Sequence, residues 1–579
     1  MKTRREFLQQ SGLASAGVML GRVNPRPLFG ANDAKASGSR PNIILILADD
    51  MGFSDLNCYG AEIDTPNLDR LASNGLQFSS FYNSPRCCPS RASLMTGMYS
   101  HQAHMGMMVD DHGRYPYPAY DGDLNTACVT IAEALKPAGY RTLHSGKWHL
   151  AAQQTTGGQN VDKHNWPLQR GFDHGYSMIT GAGSYYTPNT LTWDNEPINT
   201  FPKDFYFTNA IAEHAVKMIA DGPADQPFFL YCAFNAPHWP LHAPEATIAK
   251  YRERYFAGWD KIREERHARQ IKSGLLKAEW ELSPRDPRVP AWERASFKKW
   301  EAERMAVYAA QVDLLDQNVG KLLKQVEAMG QMDNTLIFFM ADNGGNYEEF
   351  NHQVIGPKHA IWIPDSAPDG SPLKFGNDPD VMPGPANTIQ SYGGPWGNVS
   401  NTPFKLYKHY AHEGGISTPL IVHWPKGMTA SGISHQLGHE IDIMPTCLAA
   451  AGTSLPAKTK AGTAPAPLEG KSLLPVLHGK PIEDRGMIFW EHEGNCAVRD
   501  GKWKLVSAWP DTWELHDMEA DRTELHNLAG AEPERVNQMA EAYRAWAKRV
   551  GAQPWPMPQT PRGQYGGLPL PNYLKVDRE

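Results

Sequence analysis

Three unbroken apolar runs lie far apart along the chain: Pro41 to Ala48, Pro227 to Phe234 and Thr335 to Ala341. None alternates with polar residues, so each predicts a strand covered on both faces, as in a parallel sheet between layers of helices. The stretches between them supply such helices. Thr65 to Gly75 carries a capping residue, a proline at the first helical position and a closing glycine, which predicts a short helix. Leu76 to Asn83 is strand-like and leads toward Cys87, Ala127 to Ala138 is helical by pattern, and a strand-like Tyr140 to Ser145 follows it. The clearest helix repeats Met305, Tyr308, Val312, Leu315, Val319, Leu322, Val326 and Met329 at steps of three and four, with Gly330 as its stop. That stripe predicts core and implies no chemistry.

From Pro481 the texture changes to short strand-like pieces: Met487 to Trp490, Cys496 to Arg499, Trp503 to Ser507 and Trp513 to His516. Turns such as Arg499-Asp500-Gly501 separate them, and a helical Pro533 to Val550 follows. The expected fold class is therefore α/β: a large mixed, mostly parallel sheet sandwiched by helices, plus a smaller C-terminal antiparallel sheet packed with a helix. The first fills residues 37–480 and the second 481–579. Tyr251 to Ala291, charged and proline-bearing, reads as an insertion packed on the surface. His352 to Pro403, rich in Gly, Pro, Asn and Trp, reads as long loops. The Pro/Gly-rich tail from Gln553 reads as extended surface chain.

Polar residues stand where these runs end, and in parallel sheets ligands collect beyond the carboxyl ends of strands. Asp49-Asp50 closes the first run. Two adjacent carboxylates repel and need a cation or cationic side chains to remain ionised together, although such a pair also serves as a turn or helix cap. Asp342-Asn343-Gly344-Gly345 repeats the pattern, with hard oxygen donors followed by glycines that permit close backbone approach. Gly146-Lys147-Trp148-His149 puts a cation and an imidazole two residues apart, on one side if the backbone is extended. On a surface this is unremarkable; at a buried strand end it suits anion binding and proton transfer. Pro237 and Pro240 bracket His238-Trp239 and restrict the backbone that aims the imidazole. His101, His104, Tyr185, Tyr186, Trp239 and His242, near these motifs, are candidate pocket-lining residues suited to a sugar ring or an aryl group.

The N-terminus stands apart. Arg4-Arg5-Glu6-Phe7-Leu8 leads into a weakly apolar Ser11 to Leu20 and then Ala34-Lys35-Ala36, the pattern of a twin-arginine signal peptide over residues 1–36. Its apolar centre is too short to leave a stable membrane anchor. The twin-arginine export machinery is the expected partner, and the periplasm or the exterior the expected location. The whole chain carries a formal charge of −7; without six basic and two acidic leader residues the mature chain carries −11. So acidic a protein is no candidate for nucleic-acid binding. Seven cysteines, odd in number and sparse, argue against a disulfide scaffold and show no zinc-site spacing.

One stretch remains: Cys87-Cys88-Pro89-Ser90-Arg91-Ala92-Ser93-Leu94-Met95-Thr96-Gly97. Pro89 suits a first helical turn and Gly97 a helix end, which puts Cys87 and Cys88 at a helix N-terminus. Free N–H groups and the helix dipole favour a thiolate, a sulfate or a phosphate there, and Arg91 adds a fixed charge one turn on. A reactive cysteine and a buried structural cysteine pair both fit.

The spacing Cys-x-Pro-Ser-Arg with Leu94 and Thr96-Gly97 resembles the signature of the type I sulfatases, in the alkaline phosphatase superfamily. There the first Cys is oxidised after synthesis to formylglycine, whose hydrated aldehyde provides the nucleophile. The resemblance extends from Pro41 to Leu528 through five separated pieces in the family's order. It implies a sulfuric ester hydrolase acting on a small-molecule or saccharide sulfate ester, and a formylglycine-generating maturation enzyme as partner. By position, one calcium ion falls to Asp49, Asp50, Asp342, Asn343 and the modified Cys87. Arg91 and Lys147 match residues that hold the formylglycine, Lys408 the sulfate-binding lysine, and His149 and His238 the two catalytic histidines. Phosphodiesterases and phosphonate monoester hydrolases of the same superfamily share the nucleophile. An exported calcium-containing binding protein, with Cys87 left as a thiol, is a third reading.

Overall fold

The computed structural model describes residues 40–152, 161–350 and 361–557; the leader and most of the C-terminal tail lie outside them. Ten strands form one sheet: β1 (Asn42–Ala48), β2 (Leu76–Phe78), β3 (Arg141–Lys147), β4 (His174–Met178), β5 (Leu191–Trp193), β6 (Glu196–Pro197), β7 (Phe228–Ala233), β8 (Thr335–Ala341), β9 (Leu420–His423) and β10 (Gly432–Ser434). Their spatial order is β10-β2-β9-β8-β1-β7-β3-β4-β5-β6. The central run from β8 to β4 is parallel throughout, so β1, β3, β7 and β8 all end on one edge.

The unbroken apolar runs are explained by what covers them. Ile44, Ile46 and Ala48 of β1 pack into one hydrophobic core, and Ile43, Leu45 and Leu47 into another on the opposite face. The first core is closed by α1 (Pro66–Ser73), α3 (Phe207–Ala220), α4 (Trp259–Ser273) and α5 (Lys298–Ala328). The second is closed by α2 (Cys87–Thr96) and α6 (Ile443–Ala451). With a helix layer on each side, alternation has no solvent face to report. The three-four stripe lies on α5, which begins seven residues before the stripe and ends at Ala328, with Met329 as its cap before Gly330. A four-stranded antiparallel sheet follows: β11 (Ile488–His492), β12 (Asn495–Asp500), β13 (Trp503–Ser507) and β14 (Glu514–Asp517). Met539 and Ala540 of α7 (Pro533–Val550) pack on its Val498, Leu505 and Leu515.

Three expectations change. The charged stretch 251–291 is not a surface insertion: it contains α4, whose Arg266 is fully buried and holds Asp55 at 2.7 Å and Glu62 at 2.8 Å. Arg263, Arg266 and Asp286 turn inward with Trp259 and Trp280, while Lys261, Glu264 and Lys272 stay exposed. The stretch 352–403, where described, is more than loop, since Gly393–Ser400 is a buried helix. Leu76 to Asn83 is two strands in different sheets, because Phe81–Tyr82 pairs with Gly438–His439. The seven cysteines form no disulfide.

Candidate active site

The carboxyl edge of the sheet collects all ten residues singled out above. The register sets Ala48 beside Ala341 and Leu47 beside Ala233, so the residues after β1, β7 and β8 emerge side by side. Asp49, Asp50, Arg91, Lys147, Asp342 and Asn343 are at most 1% exposed, and Cys87 and Lys408 are 2% exposed.

Each carboxylate has its own cation. The Lys147 ammonium donates to Asp49 at 2.6 Å, and Lys408 donates to Asp50 at 2.8 Å. The Arg91 guanidinium donates twice to Asp342 Oδ2, at 2.9 and 3.1 Å, and once to the Lys147 carbonyl at 3.0 Å. Asn343 and Asn346 donate to Asp50 at 2.8 and 3.0 Å. Yet Asp49 Oδ1 and the Asn343 amide oxygen, both buried, have no hydrogen-bond partner among the described residues. Buried acceptors are almost always paired, and two such hard oxygens at one carboxylate cluster fit a bound cation.

The charges shift one another. Burial, with Asp49 adding like charge, pushes the Asp342 carboxyl up to about 7. Against the cost of burial, Lys408 and His238 hold Asp50 below its ordinary value. A hydrogen bond with Cys88, and then Lys147, His149 and Lys408 working against burial, hold the Cys87 thiol well below its usual value. Cys87 sits at the first turn of α2, which ends at Gly97 in a left-handed conformation as its sequence predicts.

The histidines are held by different devices. His149 adopts φ 58°, so it reaches the site by a left-handed turn after Lys147 and not along an extended backbone. Its ring lies against Gly181, where a Cβ would come within 2.0 Å of Cε1. His238 donates from Nδ1 to the Trp239 carbonyl at 2.7 Å, leaving Nε2 3.3 Å from Asp50. The Tyr185 hydroxyl holds the His238 carbonyl at 2.8 Å. Burial lowers the His238 imidazole to about 4. The glycines after Asp342 admit the close approach expected of them: Gly344 donates to the Gly415 carbonyl at 2.9 Å, and a Cβ on it would meet Gly414 at 1.9 Å.

The candidate lining residues divide. Trp239 borders the site and donates to Glu348 at 2.7 Å. His101 is turned inward to Glu491 at 2.7 Å, His104 meets Asn125, and His242 meets the Thr388 carbonyl at 2.6 Å. Tyr185 is buried behind His238, and Tyr186 packs on Tyr206 and His242. Sequence reasoning missed Arg86, Tyr231, Asn346 and Glu348. Tyr231 was detectable as the one hydroxyl in an apolar run, and its OH meets Arg91 at 3.4 Å; the others join the site only through folding.

A buried carboxylate cluster, a cysteine at a helix start and paired lysines on one parallel edge define a hydrolase site for an anionic ester. Residues 41–453 match the sulfatase family model, and residues 404–543 match that of the N-sulphoglucosamine sulphohydrolase C-terminal region. The chain belongs to the sulfatase family and is a sulfatase, an enzyme of sulfate-ester hydrolysis. It is 32% identical over 550 residues to an uncharacterised sulfatase of Schizosaccharomyces pombe, covering 90% of this chain and 96% of that one. It is 33% identical over 459 residues to an arylsulfatase of Klebsiella aerogenes, covering 77% and 94%. The crystal structure of Ps i-CgsB shares its fold, with TM-score 0.62 at 24% identity over 88% of this chain and 93% of that one.

Proposed function

We propose that hydrolysis of sulfate monoesters in this protein runs through Cys87 oxidised to formylglycine, with one calcium ion held by Asp49, Asp50, Asp342, Asn343 and the modified Cys87. The observation that carries this reading is the pair of buried oxygens on Asp49 and Asn343 that accept no hydrogen bond, the first facing only the Arg91 guanidinium at 3.6 Å, within a carboxylate cluster beside Cys87. The ion would supply charge compensation for the sulfate oxygens, and the hydrated aldehyde a hydroxyl nucleophile in place of a thiol.

The remaining steps fall to the chain's own side chains. Lys147 and Lys408 hold the negative oxygens of the ester as the S–O bond breaks. Arg91, braced by Asp342, fixes the start of α2 and with it the reacting side chain. His238, neutral in the resting site with its proton on Nδ1, presents Nε2 toward the departing oxygen, takes up a proton there once the anionic ester is bound and hands it on, while His149, with a ring nitrogen within 4.8 Å of the Cys87 sulfur, takes one from the nucleophile side. The alcohol or phenol leaves, and sulfate follows.

Export fits the same picture. We infer that the leader directs the chain to the twin-arginine machinery and so to the periplasm or the exterior. That route moves folded protein, and Cys87 is buried once folding is complete. A formylglycine-generating enzyme therefore acts on Cys87 before export. No helix among the described residues is long and apolar enough to cross a membrane.

Mass spectrometry of the Cys87 peptide from active protein tests the core of the reading. The expected product carries an aldehyde in place of the thiol, with sulfate release lost in Cys87→Ala. A fully active sample with an intact thiol overturns the proposal, as does faster hydrolysis of an aryl phosphate than of the matched aryl sulfate.

A further inference from the structure

Beyond the buried set lies a second group that the reaction does not use. Glu348 accepts from Trp239 at 2.7 Å and pairs with Arg86 at 3.1 Å. Arg86 precedes Cys87 in sequence and faces both His409 and Glu493 electrostatically. His409 Nδ1 lies 3.3 Å from Glu493, and its ring is 5.4 Å from that of His492. Ligand atoms of His409, His492 and Glu493 all lie within 4.8 Å of one another. Side-chain exposure is 22% at Arg86, 15% at His409 and 12% at Glu493, against 2% or less at Lys408 and Asp50. Arg86, His409 and Glu493 are therefore less buried than the catalytic set, with Glu348 and His492 packed behind them.

Its construction breaks local rules. Glu493 and Gly494 form the two-residue turn between β11 and β12, with φ 50° and 82°. A type I′ turn of this kind prefers Asn or Gly at the first position, and Glu is strained there. His409 is also held at positive φ, 86°. His492 is fully buried, yet its Nε2 has no partner among the described residues. Strain and an unpaired buried nitrogen in one place point to a ligand. On the other side of Glu348, the half-buried Trp239 ring packs 4.3 Å from His238, 4.7 Å from Phe350 and 4.7 Å from Trp362, an aromatic cluster beside the catalytic histidine.

Resting on the sulfatase reading above, we propose that Trp239, Glu348, Arg86, His409, His492 and Glu493 form the subsite for the alcohol half of the ester, and that this half is an uncharged sugar. The sugar ring stacks on Trp239, and its hydroxyls pair with the His-Glu corner contributed by the C-terminal sheet. Arg86 is neutralised by Glu348, so the group offers mixed donors and acceptors without a net cationic charge. A second sulfate or carboxylate would meet Glu348 and Glu493. A metal ion at the two histidines would meet Arg86.

Binding to Cys87→Ala protein, measured by calorimetry, tests this without requiring turnover. Galactose 6-sulfate should bind, and adding Trp239→Ala or Glu493→Gln should weaken it at least tenfold, with Trp239→Phe recovering most of the loss in a chain that melts normally. The ratio of galactose 6-sulfate to 4-nitrophenyl sulfate affinity should fall at least threefold in Glu493→Gln. Unchanged affinities, or no binding of the sugar sulfate, overturn the proposal. So does tighter binding of glucosamine 2-N,6-O-disulfate, or stoichiometric zinc binding that Glu493→Gln abolishes. Sulfate release by the wild-type protein tests the underlying reading separately.

Discussion

Two buried clusters of charge invite comparison, one at the catalytic edge and one where the C-terminal sheet meets the main fold. At the junction, Glu413 accepts from Lys504 at 2.8 Å through one oxygen, and from Arg522 at 2.7 Å and Tyr82 at 2.8 Å through the other. Glu524 pairs with the same lysine at 2.7 Å. Both Glu413 oxygens are occupied, and the network ties three distant chain segments together. At the catalytic edge three carboxylates also meet three cations, but Asp49 Oδ1 and the Asn343 oxygen are left over. Similar burial and similar charge thus give a brace around Glu413 in one place and, in the other, acceptors that receive no hydrogen bond, as the proposed metal shell requires. Hydrogen-bond pairing at the central carboxylate, more than burial or charge, is what differs between them.

The contrast is easiest to break at the catalytic edge. Asp49→Asn and Asp342→Asn should each lower sulfate release per folded molecule by about a thousandfold or more, although each also leaves a buried cation without its carboxylate and so costs stability. A loss of rate no larger than that of a junction variant would erase the distinction. Next in size, Lys504→Met strands Glu524 without its cation and leaves Glu413 only Arg522, and should cost about 3–5 kcal/mol of stability in denaturant unfolding. Its rate per folded molecule should change far less than that of Asp49→Asn. A smaller effect sharpens the metal assignment. Calcium at a hundredfold excess over its Kd should stabilise the wild type by about 2.7 kcal/mol, and Asp49→Asn should lose most of that gain in a thermal melt.

The smallest effect is in pH. Against the cost of burial, Lys504 and Arg522 hold the Glu413 carboxyl down to about 2, from an ordinary value of 4.5. A lowered carboxylate stabilises the fold above its unfolded value and loses that contribution as pH falls through the folded one. Stability should therefore decline between about pH 4.5 and 2, and Glu413→Gln should flatten that slope in melts across the window.

What the sequence revealed depended on how local the cause was. The runs of β1, β7 and β8 were readable because a strand between two helix layers must be apolar on both sides. The polar residues at their ends were readable because a parallel sheet sends them all to one edge. Helix α4 was misread as surface because its arginines look solvated until Asp55 and Glu62, some two hundred residues earlier, are brought to Arg266. His101 and His242 sit near motifs in sequence yet turn to Glu491 and Thr388 in space. Arg86, Glu348 and Glu493 carry no motif, and only tertiary packing makes them neighbours.

The partners that enclose Cys87 arrive late. Arg91 meets Asp342 across 251 positions, and Asp50 meets Lys408 across 358. At about 5–20 residues per second, a ribosome needs roughly 10–50 s to travel from α2 to β8. For that interval the strand that seals the Cys87 segment has not been made, and under the proposed modification an enzyme that oxidises this side chain has that long to find it.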